Sequence, residues 1–516
     1  MLFKRRKNLL DQIKLNLGIK RQRVDWLKWL LVSLASILVV FWIGVMITGV
    51  AIYQDMTKVF NPIEQSRVSS TLGGSLKTAR PLVDNWQQLL GYDSEKNYLV
   101  IFQNNMEMRS TGGFIGSYGL VTLANGKIIN MFTDDVYNLD RLSEGKLRVE
   151  APIPMKVYNK QDILFLRDAN WSPDWPTSAN QIRWFFKEET RIAGQPQVDI
   201  DGVIAITPNF IADLLDFTGP ITIRGVTFKK DNFTMDLERF VEFDYHDHGI
   251  APGDRKDIIG EITAAIVDRI QTVSPLQYFR LWLVLKKNID EKHILVHITD
   301  EELQEQFQVN NWAGEVKETI GDYLMVIDNN LAALKTDSVM NKSLKYDLRI
   351  DGAGDLIARL AITYQHQGDR IQDVITRYRD YVRVYVPEDS WFIKASLGSQ
   401  GDVVDLKIME DLEIGSEFGK QFAATFFVVE PRETKTLVLE YKLPTEIKTQ
   451  YQNNLYKFSV QKQPGTVGHN LEINLNFNKS IVAFLSDNQP SDFSNLTARW
   501  DTNLAVDRDF TIMFSD

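Results

Sequence analysis

The chain has no cysteine and only six histidines among its 516 residues. The first absence removes disulfides and thiolate metal sites from consideration. With so few imidazoles, a classical zinc-hydrolase centre is not expected either. Neither the dinucleotide fingerprint nor a P-loop with its Lys-Ser/Thr is present. The formal net charge is −10, and no basic stripe occurs beyond the first 28 residues, which argues against nucleic acid as a partner.

What basic charge there is sits at the start. Nine Lys/Arg residues, including Lys4, Arg5, Arg6 and Lys7, precede residue 29 against Asp11 and Asp25, a balance of +7 that leaves −17 for the remainder. An uncharged run of 25 residues, Trp29 to Tyr53, follows. At ~1.5 Å per residue it is long enough for a hydrocarbon core of ~30 Å. It is longer than a signal-peptide core, and the positive-inside rule places the basic tail in the cytoplasm. The expectation is a single-pass membrane protein, with the bilayer as a partner, the N-terminus cytoplasmic and large domains outside. Residues 1–28 would be the tail, 29–53 the transmembrane helix and 54–95 a connector.

From residue 96 to 334 the patterns predict an α/β domain. Tyr98 to Phe102 is a continuous apolar run of the kind buried on both faces of a sheet. Phe114 to Leu123 and Ile128 to Phe132 flank Asn125-Gly126, a strong hairpin signal. A helix is expected over 177–192, a strand over Val198 to Ile206, and a helix opened by Thr207-Pro208. Ile258, Ile262, Ile266 and Ile270 repeat every four residues as one face of a helix, and helical patterns run on to about Leu334. From 335 to 516, short strands spaced by Gly, Asp and Pro predict an antiparallel β-sandwich.

Four segments could carry chemistry. Asn104 to Gly119 leaves the end of a buried strand, where α/β proteins place ligands. Within it Glu107 could hold a hard cation, Arg109 offers a donor fork for phosphate, and Gly112 and Gly113 could bring backbone N–H groups to an anion. The competing reading is a plain turn whose glycines permit close packing. Asp134-Asp135 could join Glu107 around Mg²⁺ or Mn²⁺, or be a solvated turn. Asp168, Trp171, Asp174 and Trp175 could bind a sugar through stacking and carboxylates, or cover the start of a helix. Arg255-Lys256 could add positive charge to a phosphate cleft. His246 and His248 have no Ser or Cys nucleophile beside them, so no triad is assigned.

Asn104 to Gly126, Asp168 to Pro176, Asp199 to Ile223 and Tyr456 to Thr466 resemble a family of bacterial single-pass membrane proteins, domain of unknown function 4012, over nearly the whole exported chain. A more remote likeness is to the LytR-CpsA-Psr glycopolymer transferases, carried by Tyr98 to Arg109 and Asp199 to Ile223. That resemblance implies a membrane-anchored α/β domain binding, and transferring with a divalent metal, a polyprenyl-pyrophosphate-linked glycan or cell-wall polymer. Glu107, Asp134 and Asp135 would then hold Mg²⁺ or Mn²⁺, and Arg109 and Arg255 the phosphates. The pattern departs from that family at Arg109-Ser110-Thr111-Gly112 and Thr133-Asp134-Asp135, where an Asp and an Arg are missing, so enzyme status stays open. The rival expectation is a non-enzymatic exported adhesion or envelope-assembly module.

Overall fold

The computed structural model describes residues 85–251, 255–399, 401–485 and 488–515. The expected membrane helix over 29–53, the basic tail and most of the connector lie outside those residues. Among the described residues no helix is long and apolar enough to cross a membrane. The membrane-anchored class, the bilayer partner and the single-pass localisation rested on that segment alone, and they are not carried forward. What the structure shows is a mixed α/β fold with several sheets.

The first sheet has the order β3-β2-β1-β4-β7. Its strands are β1 (Lys96–Asn104), β2 (Phe114–Ala124), β3 (Lys127–Asp135), β4 (Gly202–Ile206) and β7 (Ile294–Ile298), with the small hairpin β5 (Ile221–Ile223) and β6 (Val226–Phe228) standing apart. Only β1 and β4 run parallel; the other neighbours are antiparallel. The sheet therefore differs from a wound parallel one, in which every strand end on one side points at a shared ligand crevice.

The apolar run in β1 is explained by cover on both sides. Tyr98 and Val100 pack on one face with α3 (Pro208–Thr218), α5 (Asp257–Gln271) and α6 (Pro275–Asp290). Leu99 and Ile101 pack on the other with α1 (Val136–Ser143) and α2 (Trp175–Ile192). Ile258, Ile262, Ile266 and Ile270 of α5 are all buried, as their spacing requires. Asn125 and Gly126 turn the β2–β3 hairpin with positive φ at both positions, 52° and 70°.

The chain then builds two large sheets around one core. The helical pattern expected up to Leu334 is interrupted by β7 and by β8 (Asp322–Ile327), and β8 already belongs to the seven-stranded sheet, where it is buried at every position. The eight-stranded sheet includes β9 (Met340–Ile350) and β10 (Leu356–His366); the seven-stranded one includes β11 (Tyr378–Pro387) beside β8. The outer face of the seven-stranded sheet meets the α/β unit: Tyr381 and Ala424 join the core containing α2, and Phe426 stacks on Tyr158 at 3.8 Å between ring centroids.

Between α1 and α2, Asp140 and Glu189 face each other, both buried. Burial, and then the neighbouring Asp140, push the Glu189 carboxyl up to about 9 from an ordinary 4.5. Arg167 pairs with Asp140 at 2.7 Å, so the site holds one proton and one compensated charge. The folded state keeps a proton that the unfolded chain releases, so stability falls as pH rises from about 4.5 toward 9. Glu189→Gln keeps a donor toward Asp140 and should flatten this loss. Urea midpoints at pH 5, 7 and 9 check it, and a slope unchanged from the native protein would count against a shared proton.

Candidate functional site

The loop after β1 was the strongest candidate ligand loop, and the structure uses it as a junction. Arg109 is 3% exposed. Its Nη1 donates to the carbonyls of Asn330 (2.6 Å) and Met108 (3.1 Å), and its Nη2 pairs with Glu107 (3.2 Å) and Asp168 (3.4 Å). Ser110 Oγ bonds to Asn329 Oδ1 at 2.7 Å and accepts from Arg383 Nη2 at 2.7 Å. Gln463 Nε2 donates to the Arg109 and Asp328 carbonyls. Arg109 is thus committed to carboxylates and carbonyls and presents no free fork to a phosphate.

Gly112 and Gly113 are explained by packing. A Cβ on Gly113 would sit 2.4 Å from the Asn104 backbone, and one on Gly112 would sit 3.2–3.3 Å from Gly465; their φ values are 148° and 121°. The Trp loop is likewise structural. Asp174 caps α2 through Thr177 N (3.0 Å) and also accepts from Val316 N (3.0 Å). Trp175 is wholly buried, and Trp171 lies between Arg383, at 4.9 Å, and Tyr381, at 5.8 Å. Asp168 is buried between Arg109, Arg167 and Gln161.

The expected Mg²⁺ or Mn²⁺ site is corrected: among the described residues no group of three or more His, Cys, Asp or Glu is placed to hold a metal ion. Asp134 turns back to Asn138 Nδ2 (2.7 Å) and the Asp135 amide (2.8 Å), and burial raises its carboxyl. Asp135 caps α1 through Tyr137 N and pairs with Lys256 at 3.0 Å. Glu107 is held by Arg109. His293 and His297, four apart, lie at and on strand β7 rather than on a helix, which separates them by ~13 Å of extended chain.

Three of the expected residues do meet. Glu107, Arg255 and Lys256 line the mouth of a cavity of about 320 Å³ between β1, β2, α3, α4 (Phe233–Glu242) and α5. Its interior is apolar, with Phe102, Phe114, Ile206, Ile211, Phe233 and Leu237 among the walls. A narrower, almost wholly apolar space of about 90 Å³ shares Phe102, Ile206, Ile211 and Thr263 with it and reaches Val100, Leu214, Ile266 and Leu281. The two spaces lie side by side on one face of the sheet and are together called the slot, charged at the rim and apolar below it.

The sequence reading missed the rest of that rim. Glu238 and Glu242 stand four apart on α4, hence on one helix face, and Lys335 comes from the segment after β8. Lys335 pairs with Glu238 at 3.2 Å and Glu242 at 3.9 Å; Arg255 pairs with Glu242 at 3.3 Å. Lys256 also donates to the Gly116 carbonyl at 2.7 Å, and burial lowers its pKa. The rim is therefore balanced in charge rather than electropositive. The i, i+4 glutamates beside the apolar Phe233, Leu237 and Val241 were the available signal.

A family model described as protein of unknown function (DUF4012) matches residues 93–241. The match spans β1 into α4, so the likeness expected over nearly the whole chain is confined to that segment, and the more remote likeness to glycopolymer transferases is not carried forward. No curated protein matches the chain. Solved structures that share some of its arrangement include a protein from Streptococcus agalactiae, with 12% identity over 45% of this chain and 76% of that one, at a TM-score of 0.27. A protein from Listeria innocua has 15% identity over 45% and 85%, at 0.24. A transcriptional regulator from Enterococcus faecalis has 12% identity over 45% and 78%, at 0.23. Scores this low carry no argument about fold or function.

If Arg109 is a strut, removing it must destabilise the whole assembly. Arg109→Met leaves Glu107 and Asp168 without their shared cation, a loss of about 3–5 kcal/mol for a broken buried pair. Urea unfolding measures it, and an unchanged midpoint would contradict the assignment.

Proposed function

We propose that this protein binds an amphipathic ligand, a hydrocarbon chain joined through phosphate to a glycan, and holds it without transferring it. The observation that carries the reading is the slot: apolar space lined by the sheet and four helices, beside a rim of paired charges. A long hydrocarbon gains by leaving water, at ~25 cal/mol for each Å² buried. The polar head stays at the rim, where Arg255, Lys256 and Lys335 supply donors.

Transfer is left out of the proposal for a physical reason. Stabilising the charge that develops at a phosphorus needs donors aimed at it in advance. Arg109 is occupied by its own carboxylates, and Asp134 is turned away from the rim. The rim cations are matched by Glu238, Glu242 and Asp135, so an arriving phosphate competes with these carboxylates.

Titration with alkyl phosphates of increasing length tests the reading. Each methylene that enters the slot should contribute about 0.8 kcal/mol, roughly fourfold in Kd, until the slot is full. Ile211→Trp, placed where the two spaces join, should abolish the length dependence. Affinity indifferent to chain length would sink the proposal. At the rim, Glu242→Gln frees Arg255 and should tighten dodecyl phosphate by about two- to fivefold, the scale of a partly exposed ion pair. Weaker binding in that variant would show that the phosphate does not reach Arg255.

A further inference from the structure

A second, wider space adjoins the rim of the slot. This groove of about 600 Å³ runs between α4 and the loop of residues 368–375 that follows β10. It shares Glu238, Glu242 and Val374 with the slot, so the two spaces have a common wall. Its character is different. Arg239, Arg370 and Arg432 line it together with Glu238, Glu242, Asp369 and Asp373.

We propose that this groove is a saccharide-binding site that takes the glycan of the ligand whose hydrocarbon occupies the slot; the assignment rests on the slot reading. Three lines of chemistry support it. The charges nearly cancel, three guanidinium groups against four carboxylates, so a polyanion or a polycation meets its own sign along the groove, whereas a neutral polyhydroxyl chain can use both as donors and acceptors. Phe243, 46% exposed, offers an apolar face against which a pyranose ring can lie. The backbone that carries these polar groups is also fixed before any ligand arrives. Asp369 Oδ1 accepts from Arg432 Nε (3.1 Å) and Nη2 (2.9 Å), and the Arg432 amide donates to the His366 carbonyl (3.0 Å). Gln372 and Ile375 exchange two backbone bonds of 2.9 and 2.8 Å, which closes the loop on itself. A preset site loses less freedom on binding.

One wall of the groove comes from the α/β unit and the other from the two-sheet unit. The second unit, which the family match does not reach, thereby acquires a role: it reads the head while the first unit holds the tail.

The test uses the full chain with three probes: geranylgeranyl diphosphate, its N-acetylglucosaminyl ester, and free chitobiose. The sugar should tighten the diphosphate lipid by about tenfold, the gain of one or two well-made polar contacts. The double variant Arg370→Ala with Gln372→Ala, both residues exposed on the loop, should erase that increment and leave the bare diphosphate lipid unchanged. An increment that is absent, or that survives in the double variant, overturns the groove assignment. If the bare lipid does not bind, the slot reading has failed on its own, and chitobiose then decides the groove. Saturation-transfer NMR should give a chitobiose signal that the double variant loses; no signal with the native protein overturns the proposal.

Discussion

A single buried guanidinium fixes how the two halves of this protein meet. Arg109 leaves the end of β1 and spans Asp168 in the α/β unit and the Asn330 carbonyl just after β8. A buried cation is costly unless partners surround it, and here carbonyls meet Nη1 and carboxylates meet Nη2, while the buried Nε keeps no hydrogen bond. Around it Ser110, Asn329, Arg383 and Gln463 complete a polar seam. The seam is also why Gly112 and Gly113 are glycines: the loop passes so close to Asn104 and Gly465 that a side chain has no room.

That seam determines where ligands can go. With the loop after β1 sealed, open space remains on the other flank, where α4 stands off the sheet. The slot follows from this offset: Phe102 and Ile206 from the strands, and Ile211 and Thr263 from the helices, leave an apolar gap between them. Lys335, carried by the segment after β8, reaches back to Glu238 and Glu242 and so links the seam to the rim. The cations and carboxylates of the rim pair with one another there, Arg255 and Lys335 with Glu238 and Glu242, and Lys256 with Asp135.

Much of the local structure was legible in the sequence because it depends on neighbours in the chain. The apolar run of β1 announced burial on both faces, Asn125-Gly126 announced a hairpin, and the four-residue spacing of Ile258 to Ile270 announced a helix face. The fate of Arg109 was not legible. Its partners Asp168 and Asn330 lie 59 and 221 residues away, and a donor fork in a glycine-bearing loop looks the same whether it will hold a phosphate or a carbonyl. Glu107, Arg255 and Lys256 were legible as charges near a cleft, but Glu242 on α4, which neutralises Arg255, was not. The antiparallel pairing of β1 with β2 and of β4 with β7 was hidden for a similar reason, since the direction of strands not joined by a tight turn is set by tertiary pairing rather than by local pattern.

The central claim is that hydrocarbon enters the slot while the seam stays closed. Photolabelling with a long-chain alkyl phosphate carrying a terminal diazirine addresses it directly, because the reactive carbon marks where the chain ends. The account predicts adducts on residues deep in the slot, such as Leu214, Ile266 and Leu281, with none on the 108–113 loop. Adducts confined to that loop, or to exposed apolar side chains such as Trp391 and Val403, would contradict it.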